Sequence, residues 1–380
     1  MQVKKLAVLC SFASLSFVQP AVADITVGVS LSATGPGASL GIPEKNVFAL
    51  LPTQIAGEKI HYILLDDATD PSIATKNARK LITENSVDVL VGSSTTPATA
   101  AMAEVANESA TPQVAISPVS LPADRNKWVF RTPQQNSVMA DALLGHMTAM
   151  GVKTLGFIGF SDAYGEDWLG AVKSRAEAAG IKMVAVERYA RADTSVSGQV
   201  LKLVAARPDA VLVVGSGSPA ALPQTTLGER GYKGQIYQTH AAANQAFLKV
   251  AGKAAEGAIM PVGPVVVVDQ VPDTHPSKTA GRDLVHKYEA AYGPGSFSSF
   301  AGHAFDAFRL IEQAIPVALK TAKPGTPQFR AALRDAIESN KEVVGSHGVF
   351  NMSAADHFGL DERSHVLVKI ESGAYKMISQ

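Results

Sequence analysis

The sequence contains a single cysteine, Cys10, near the start of the chain. One thiol cannot form an internal disulfide, and a zinc site built from several cysteines is excluded for the same reason. The nine histidines include no H-x-x-H or H-E-x-x-H pair of the kind that binds zinc on one helix face. The sequence therefore predicts no metal site and no cofactor.

Charge of neither sign is in excess. Lys and Arg number 34, Asp and Glu also number 34, and charged residues make up 18% of the chain. This balance gives no reason to expect nucleic acid or an anionic membrane surface as a partner. The 380 residues, 46% of them hydrophobic, are enough for two domains with a core each.

The first 23 residues differ from the rest. A basic start ending at Lys5 precedes an apolar run from Leu6 to Val18, and an A-x-A motif ends at Ala23, just before Asp24. This pattern predicts a signal peptide cleaved after Ala23 and a periplasmic protein. The run is shorter than the roughly 20 residues that a membrane span needs, although an uncleaved anchor is the alternative. Cleavage would remove the only thiol and with it any thiolate catalysis.

Short apolar runs alternate with helical patterns from residue 25 onward. Some runs, such as Val-Leu-Val-Val-Gly at 211–215, are apolar on both faces, which is typical of parallel strands covered by helices. The repetition predicts a doubly wound α/β architecture that occurs twice. The predicted strands are 25–32, 59–66, 87–92, 113–117, 154–160, 183–189, 210–215 and 235–239; the predicted helices are 71–84, 99–110, 137–150, 165–179, 199–206 and 220–230.

The pattern changes after residue 258. Prolines at 261–264 and 272–276 interrupt it, and three helices are predicted at 279–292, 299–319 and 328–339. The C-terminus returns to strands at 348–351, 365–370 and 374–378. Since open parallel sheets bind ligands beyond the carboxyl ends of their strands, the cleft between two such lobes is the expected site.

Three segments resemble a known family. Val-Gly-Val-Ser-Leu-Ser-Ala-Thr-Gly-Pro at 27–36, Asp-Asp-Ala-Thr-Asp-Pro at 66–71 and Asp-Ala-Tyr-Gly-Glu at 162–166 resemble type I periplasmic substrate-binding proteins of ABC transporters, in the leucine/isoleucine/valine-binding group. The resemblance covers essentially residues 24–380. It implies two Rossmann-like lobes that close like a Venus flytrap on a small molecule, without catalysis. The ligand would pass to an ABC permease and its ATPase in the inner membrane, and the protein is expected to be a monomer.

The resemblance also implies three hinge crossings between the lobes. They are expected near 132–136, 260–264 and 345–352. The N-terminal lobe would then comprise residues 24–132 plus 264–346. The C-terminal lobe would comprise residues 133–263 plus 347–380.

The segment Gly-Ser-Ser-Thr-Thr-Pro at 92–97 follows a strand and opens a helix. Free backbone N–H groups, hydroxyls and the positive end of the helix dipole make such a loop suitable for an anion. The resemblance implies that this loop and the next strand end, 117–120, grip a ligand carboxylate. Simple capping of the helix by Ser or Thr is the alternative.

A departure from the family suggests the kind of ligand. Amino-acid-binding relatives carry a glutamate after a second-lobe strand, where it pairs with the ligand ammonium; that position here is His240. No Asp or Glu lies between Glu229 and Glu256. An ammonium buried without a carboxylate is costly, whereas a histidine can donate a hydrogen bond to an oxygen. The expected ligand is therefore a small organic carboxylate, aromatic acids included, with branched-chain or other amino acids as the alternative.

Other positions follow from the resemblance. Tyr164 of the Tyr-Gly-Glu turn would contact the ligand across the cleft, and Phe300, with Phe297 as the alternative, matches an aromatic pocket position. Gly217 and Leu40 stand where relatives carry larger aromatic side chains, which predicts a larger pocket. The candidate ligand-binding residues are Leu40, Ser93, Ser94, Thr95, Ser117, Val119, Ser120, Tyr164, Ser216, Gly217, His240 and Phe300.

Other functions find less support. The G-x-G-x-x-A pattern at 215–220 resembles a dinucleotide fingerprint, but Pro219 interrupts the turn and no acidic residue ends the next strand. No Walker loop is present, so a nucleotide-binding enzyme is not favoured, and the chain lacks an assembled nucleophile–base signature that would indicate a hydrolase. A ligand sensor for a membrane receptor, with the same fold, stays open as an alternative to a transport protein.

Overall fold

The computed structural model describes residues 24–378; the predicted signal peptide lies outside the described residues. The strands are β1 (Ile25–Leu31), β2 (Gln54–Ile55), β3 (Glu58–Asp66), β4 (Val89–Gly92), β5 (Gln113–Ala115), β6 (Val129–Arg131), β7 (Thr154–Phe160), β8 (Lys182–Tyr189), β9 (Ala210–Val214), β10 (Gln235–Gln238), β11 (Ile259–Val262), β12 (Val343–Val344), β13 (Val349–Phe350), β14 (Val366–Glu371) and β15 (Ala374–Met377). The helices are α1 (Ala38–Phe48), α2 (Pro71–Thr83), α3 (Thr96–Glu108), α4 (Asn136–Ala149), α5 (Ala163–Ala178), α6 (Ser197–Ala206), α7 (Ala221–Glu229), α8 (Gln245–Ala251), α9 (Lys278–Tyr292), α10 (Ser299–Ala318) and α11 (Pro327–Glu338).

Two main sheets form two lobes. The first has the order β2-β3-β1-β4-β5-β6 and the second β15-β14-β11-β10-β9-β7-β8. Strands β3, β1, β4, β5 and β6 are parallel, as are β8, β7, β9, β10 and β11, while β14 and β15 join antiparallel. In each lobe the chain order reverses beside its first strand, which is where doubly wound sheets bind ligands. The predicted fold class is confirmed.

Local sequence explains several of these elements. All five residues of β9 are buried, as expected for an apolar run in a parallel sheet. Asp70 caps α2 by accepting hydrogen bonds from the N–H groups of Ser72 and Ile73, and Pro71 occupies the first helical turn. Asp162 caps α5 in the same way.

Six helices and strands of the described residues were not predicted from the sequence: α1, α8, β2, β6, β11 and β12. Helix α1 contains Pro43, and its hydrophobic pattern is irregular because the acidic Glu44 is buried with Leu40 and Val47 whereas the apolar Ile42 is exposed. Helix α3 begins at Thr96, three residues before the predicted start. This shift matters, because it places Thr95 at the N-cap of the helix.

The crossings between lobes can be located from the two hydrophobic cores. Phe130 belongs to the first core and Met139 to the second, which agrees with a first crossing near 132–136. Residues 264–271 pack on the second sheet instead of the first, since Val267 and Val271 share a cluster with Val368. We therefore propose that the second crossing lies between Val271 and α9, later than predicted.

The third crossing is also later than predicted. Phe350 and Met352 are fully buried in the core of the first sheet, together with Phe130. Their packing keeps residues 347–352 with the N-terminal lobe instead of the C-terminal lobe. We propose that the chain crosses between Met352 and β14.

The two lobes are in contact across the cleft. Leu40 of α1 and Phe300 of α10 come from the first lobe, yet both pack in the hydrophobic core of the second. Ser120 Oγ donates a hydrogen bond to Asp167 Oδ1 at 2.7 Å, and the Ser218 N–H donates one to Ser39 Oγ at 3.1 Å. The structure is therefore the closed form of a two-lobed molecule. Among residues 24–378, no helix combines the length and the apolarity that crossing a membrane requires.

Candidate functional site

A pocket lies between the lobes, at the carboxyl ends of β4 and β5 in the first sheet and of β7, β8, β9 and β10 in the second. This is the edge where parallel strands present their following loops. The side chains around it are hydroxyl-bearing, imidazole or apolar. Its lining residues are Leu40, Ser94, Thr95, Thr96, Ile116, Ser117, Pro118, Pro133, Tyr164, Arg191, Ser216, His240, Ala241, Phe300 and His303.

The first-lobe end of the pocket is the start of α3. Thr95 is the N-cap residue but its side chain makes no capping hydrogen bond. Its Oγ1 is fully buried and has no hydrogen-bond partner among residues 24–378. An unpartnered buried hydroxyl costs roughly 1–3 kcal/mol, so a group that is used only for capping would not be left in this state. The helix dipole adds positive potential at the same point.

Consecutive serines in this loop face different ways. Ser93 points away from the pocket and donates from Oγ to Asp67 Oδ2 at 2.6 Å. Ser94 lines the pocket, and its Oγ accepts the Ser32 N–H at 2.9 Å. Ser117 also lines the pocket, with Oγ 2.6 Å from Thr99 Oγ1.

The Asp-Asp motif at 66–67 supports this loop. Asp67 is fully buried and accepts hydrogen bonds from the hydroxyls of Ser30, Ser32 and Ser93. The motif therefore acts from behind the pocket, as a scaffold for the loop that follows β4.

The second-lobe side contributes Tyr164, Ser216 and His240. The Tyr164 hydroxyl lies 2.8 Å from Thr239 Oγ1, which itself donates to the Gly215 carbonyl, so the tyrosine donates to Thr239 and offers its ring to the pocket. Burial raises its pKa well above the usual range, and the phenol stays neutral. Ser216 Oγ accepts a hydrogen bond from Arg191 Nη1 at 2.7 Å.

His240 is 6% exposed, lies beside the Trp168 ring, and has no partner for Nδ1. Burial, with a smaller contribution from His347, lowers the pKa of His240 to about 3, so the ring is neutral at neutral pH. A neutral imidazole can donate from one nitrogen and accept at the other.

Two lining residues with strong polar groups were missed from the sequence, Arg191 and His303. Arg191 follows β8, and its guanidinium pairs with Asp162 Oδ2 at 2.5 Å and lies 4.2 Å from the Phe160 ring centroid. Arg191 lies two residues after the end of β8, so the rule that ligands bind beyond the carboxyl ends of parallel strands could have identified it.

His303 lies one helical turn after Phe300 on α10, so the spacing places both on one face. Its ring stacks on that of His347 with centroids 3.9 Å apart. Burial, with contributions from His347 and His240, lowers the pKa of His303 well below its usual value. All three histidines are therefore neutral in the closed form.

Five predicted candidates lie outside the lining: Ser93, Val119, Ser120, Gly217 and Phe297. Ser93 and Ser120 direct their hydroxyls to Asp67 and Asp167, as described above. Val119 is 2% exposed and packs in a small apolar cluster beneath β5 and β6. Phe297, the alternative to Phe300, packs at right angles on Tyr288 in the first lobe. Phe300 is the aromatic residue that reaches the pocket.

Gly217 corrects the prediction of a larger pocket. A Cβ built on it would lie 2.2 Å from Ser39 Oγ and 2.5 Å from Leu40 Cδ1. The space left by the missing side chain is therefore filled by α1 of the opposite lobe. Gly217 allows close approach of the lobes and adds no volume for a ligand.

The sequence pattern of the family described as "Periplasmic binding protein" matches residues 24–373. The chain belongs to the periplasmic binding protein family. This periplasmic binding protein is similar to the Leu/Ile/Val-binding protein homolog 3 of Brucella melitensis, with 25% identity over 93% of this chain and 94% of the relative.

Solved structures agree on the fold. An extracellular ligand-binding receptor from Rhodopseudomonas palustris HaA2 is 49% identical over 94% of this chain and 100% of its own, with a TM-score of 0.93. A solute-binding protein of an ABC transporter from R. palustris, solved in complex with benzoate, shares the fold at 20% identity, 94% and 96% coverage and a TM-score of 0.76. These relatives are binding proteins, not enzymes, and the family places the protein in the periplasm.

Proposed function

We propose that this periplasmic binding protein is the solute receptor of an ABC importer and captures a small carboxylate that carries no amino group. Aromatic acids are the class that we propose, because Leu40, Ile116 and Phe300 give the pocket an apolar wall. The ligand would bridge the two lobes, stabilise their closed form, and be passed to an ABC permease and its ATPase. Closure is driven only by contacts that the ligand makes better in the closed form than in the open one.

The unpartnered Thr95 hydroxyl at the start of α3 is the observation that carries this proposal. A ligand carboxylate placed there would accept hydrogen bonds from Thr95 and Ser94 and from the first backbone N–H groups of the helix. Hydrogen bonds to a charged acceptor are about twice as strong as neutral ones. On this arrangement His240 would donate from the opposite lobe.

The rest of the lining favours an apolar body over an ammonium group. No acidic side chain is among the lining residues that the structure describes between 24 and 378. The one formal charge there, on Arg191, is paired with Asp162. Leu40, Ile116 and Phe300 supply apolar surface against which a ring can pack.

A thermal-shift screen of the protein from Asp24 onward tests this proposal. One panel holds benzoate, hydroxybenzoates and aromatic keto acids, and the other holds leucine, isoleucine and valine. A ligand at a hundredfold excess over its Kd stabilises the native state by about 2.7 kcal/mol, which raises the unfolding midpoint by several degrees. We expect shifts with the first panel only. Shifts with leucine or valine alone would contradict the proposal and favour an amino-acid receptor.

Transport and sensing can be separated with the ligand that the screen identifies. If the protein serves an importer, its liganded form should stimulate the ATPase of the reconstituted permease complex. Stimulation of a membrane kinase or chemoreceptor by the liganded protein, with no effect on the permease complex, would favour a sensor.

The tight approach at Gly217 predicts a closure defect. In Gly217→Ala, the added methyl group would meet Ser39 Oγ, and the backbone, at a φ of 58° and ψ of −148°, would be strained by about 1–3 kcal/mol. We expect a three- to tenfold higher Kd for benzoate by calorimetry, and a larger radius of gyration at saturating ligand by X-ray scattering.

A second substitution, at Ser39, tests whether the contact with its hydroxyl causes the closure defect. Removing the opposing hydroxyl in Gly217→Ala/Ser39→Ala should restore part of the affinity, although the backbone strain remains. No recovery, or a single variant that closes as completely as the wild type, would show that this contact does not limit closure.

A further inference from the structure

Glu44 is a buried acid behind the first-lobe end of the pocket, where the proposed ligand carboxylate would lie. It lies on α1 four residues after Leu40, so both side chains lie on the same helix face. Glu44 is 0% exposed, its Oε2 is within hydrogen-bonding distance of Ser94 Oγ, and its Oε1 has no partner. It does not itself line the pocket. Sequence reasoning had sought an acid only near His240, on the opposite lobe.

The protonation state of Glu44 decides whether the Ser94 hydroxyl can donate its hydrogen to a ligand. A serine hydroxyl offers one hydrogen and two lone pairs, and one lone pair here accepts the Ser32 N–H. If Glu44 were ionised, Ser94 would donate its only hydrogen to it and turn a lone pair toward the pocket. If Glu44 is a neutral acid, it donates to Ser94, and the hydroxyl hydrogen is free to point at a ligand.

The surroundings favour the neutral acid. Asp67 is fully buried nearby and accepts hydrogen bonds from three serine hydroxyls and from the Thr69 N–H. A second carboxylate charge beside it, with one oxygen unpartnered, would be costly. Burial, with the negative charge of Asp67 adding to it, raises the pKa of Glu44 well above its usual value, and the hydrogen bond with Ser94 offsets part of this.

We infer that Glu44 acts as a neutral hydrogen-bond donor that orients the Ser94 hydroxyl toward the ligand carboxylate. It is thus a positioning residue that makes this end of the cleft accept an anion and reject an ammonium. The inference rests on the proposed function, since it names the group that determines which charge the pocket accepts.

Two near-isosteric variants test the inference with benzoate as the probe, by calorimetry at pH 7. In Glu44→Gln, the amide still donates to Ser94, so the Kd should stay within threefold of the wild-type value. Glu44→Met fills similar space but cannot donate, and its Kd should rise at least tenfold. Both variants replace the same buried carboxyl group. If Glu44 served only in folding, benzoate affinity would not be kept in Glu44→Gln and lost in Glu44→Met. Unfolding midpoints checked for each variant identify any that fails to fold.

Ser94→Ala completes the design. If Glu44 acts through Ser94, Glu44→Met should weaken binding no further in the Ser94→Ala background. Loss of benzoate binding in a folded Glu44→Gln, or full binding in Glu44→Met, would overturn the inference while leaving the proposed function intact. If the wild type binds leucine but not benzoate and Glu44→Gln abolishes leucine binding, Glu44 is an ionised partner of the ligand ammonium. That result would overturn both the inference about Glu44 and the proposed function.

Discussion

Replacing His240 by alanine is expected to weaken the binding of an aromatic carboxylate at least tenfold while leaving the protein folded. The ring is 6% exposed, lines the pocket from the second lobe, and has an unpartnered Nδ1. Its removal takes away a hydrogen-bond donor to the ligand and part of the wall beside Trp168. A hydrogen bond to a charged group contributes about 1.5–3 kcal/mol, which corresponds to a tenfold loss or more.

Calorimetric titration with benzoate measures this effect. His286→Ala is the matched control, because His286 is exposed on α9 and lies outside the pocket lining. The control should bind like the wild type. If His240→Ala also retains its affinity, His240 does not contact the ligand.

The pH dependence of binding gives a second measure of the same residue. In the closed form the pKa of His240 is lowered to about 3 by burial, and those of its neighbours His303 and His347 are also lowered. In an open cleft that water reaches, the imidazole would return toward its usual pKa of about 6.5. Provided that this burial outweighs the attraction of a ligand carboxylate for a charged imidazole, the closed form binds fewer protons, so affinity is full above pH 6.5 and falls as the pH drops below it.

A His240→Gln variant isolates that contribution, because His303 and His347 remain. Between pH 6.5 and 5.5, the Kd of the wild type should rise by up to about fivefold more than that of the variant. Parallel pH profiles for the two proteins would show that closure does not bury His240.

The second large effect is expected from Thr95→Val, which replaces a hydroxyl by a methyl group of similar size. Thr95 is 2% exposed, and its Oγ1 has no hydrogen-bond partner within the described residues 24–378. Loss of an unpartnered buried hydroxyl should leave stability unchanged or slightly improved. Loss of a hydrogen bond to a ligand carboxylate should raise the Kd about tenfold to a hundredfold.

Removing a ligand-binding hydroxyl should lower affinity without lowering stability, whereas removing a helix cap should lower stability without lowering affinity. Thr226→Val serves as the control, because Thr226 is buried in α7 and donates to the Leu222 carbonyl, away from the pocket lining. It should lose some stability but no affinity. The reverse result for Thr95→Val, with lower stability and unchanged affinity, would show that Thr95 only caps α3.

Much of the site could be predicted because its residues follow a local rule. Ser94, Ser117, Ser216 and His240 each come directly after a strand of a parallel sheet, and the carboxyl ends of such strands meet at one edge. The apolar runs that mark the strands and the polar residues that follow them are both visible in the chain.

The errors came from properties that a local rule does not contain. Which of two adjacent serines faces the pocket depends on Asp67, 26 residues away from Ser93 along the chain. The space beside Gly217 depends on Ser39 and Leu40, which approach only when the lobes close. We propose that residues 264–271 and 347–352 belong to lobes other than those predicted, because apolar side chains such as Val271 and Phe350 pack with distant partners.

The sequence by itself determined the doubly wound architecture, since hydrophobic periodicity and strand–loop order are written along the chain. It also gave the loop after β4 and His240 as candidates for the cleft, His240 through the resemblance to the family. Only the tertiary structure decided that Arg191 and His303 share the pocket and that Glu44 lies behind Ser94. These contacts join elements that are far apart in sequence. Their geometry is set by packing and closure of two lobes, and no spacing in the chain encodes it.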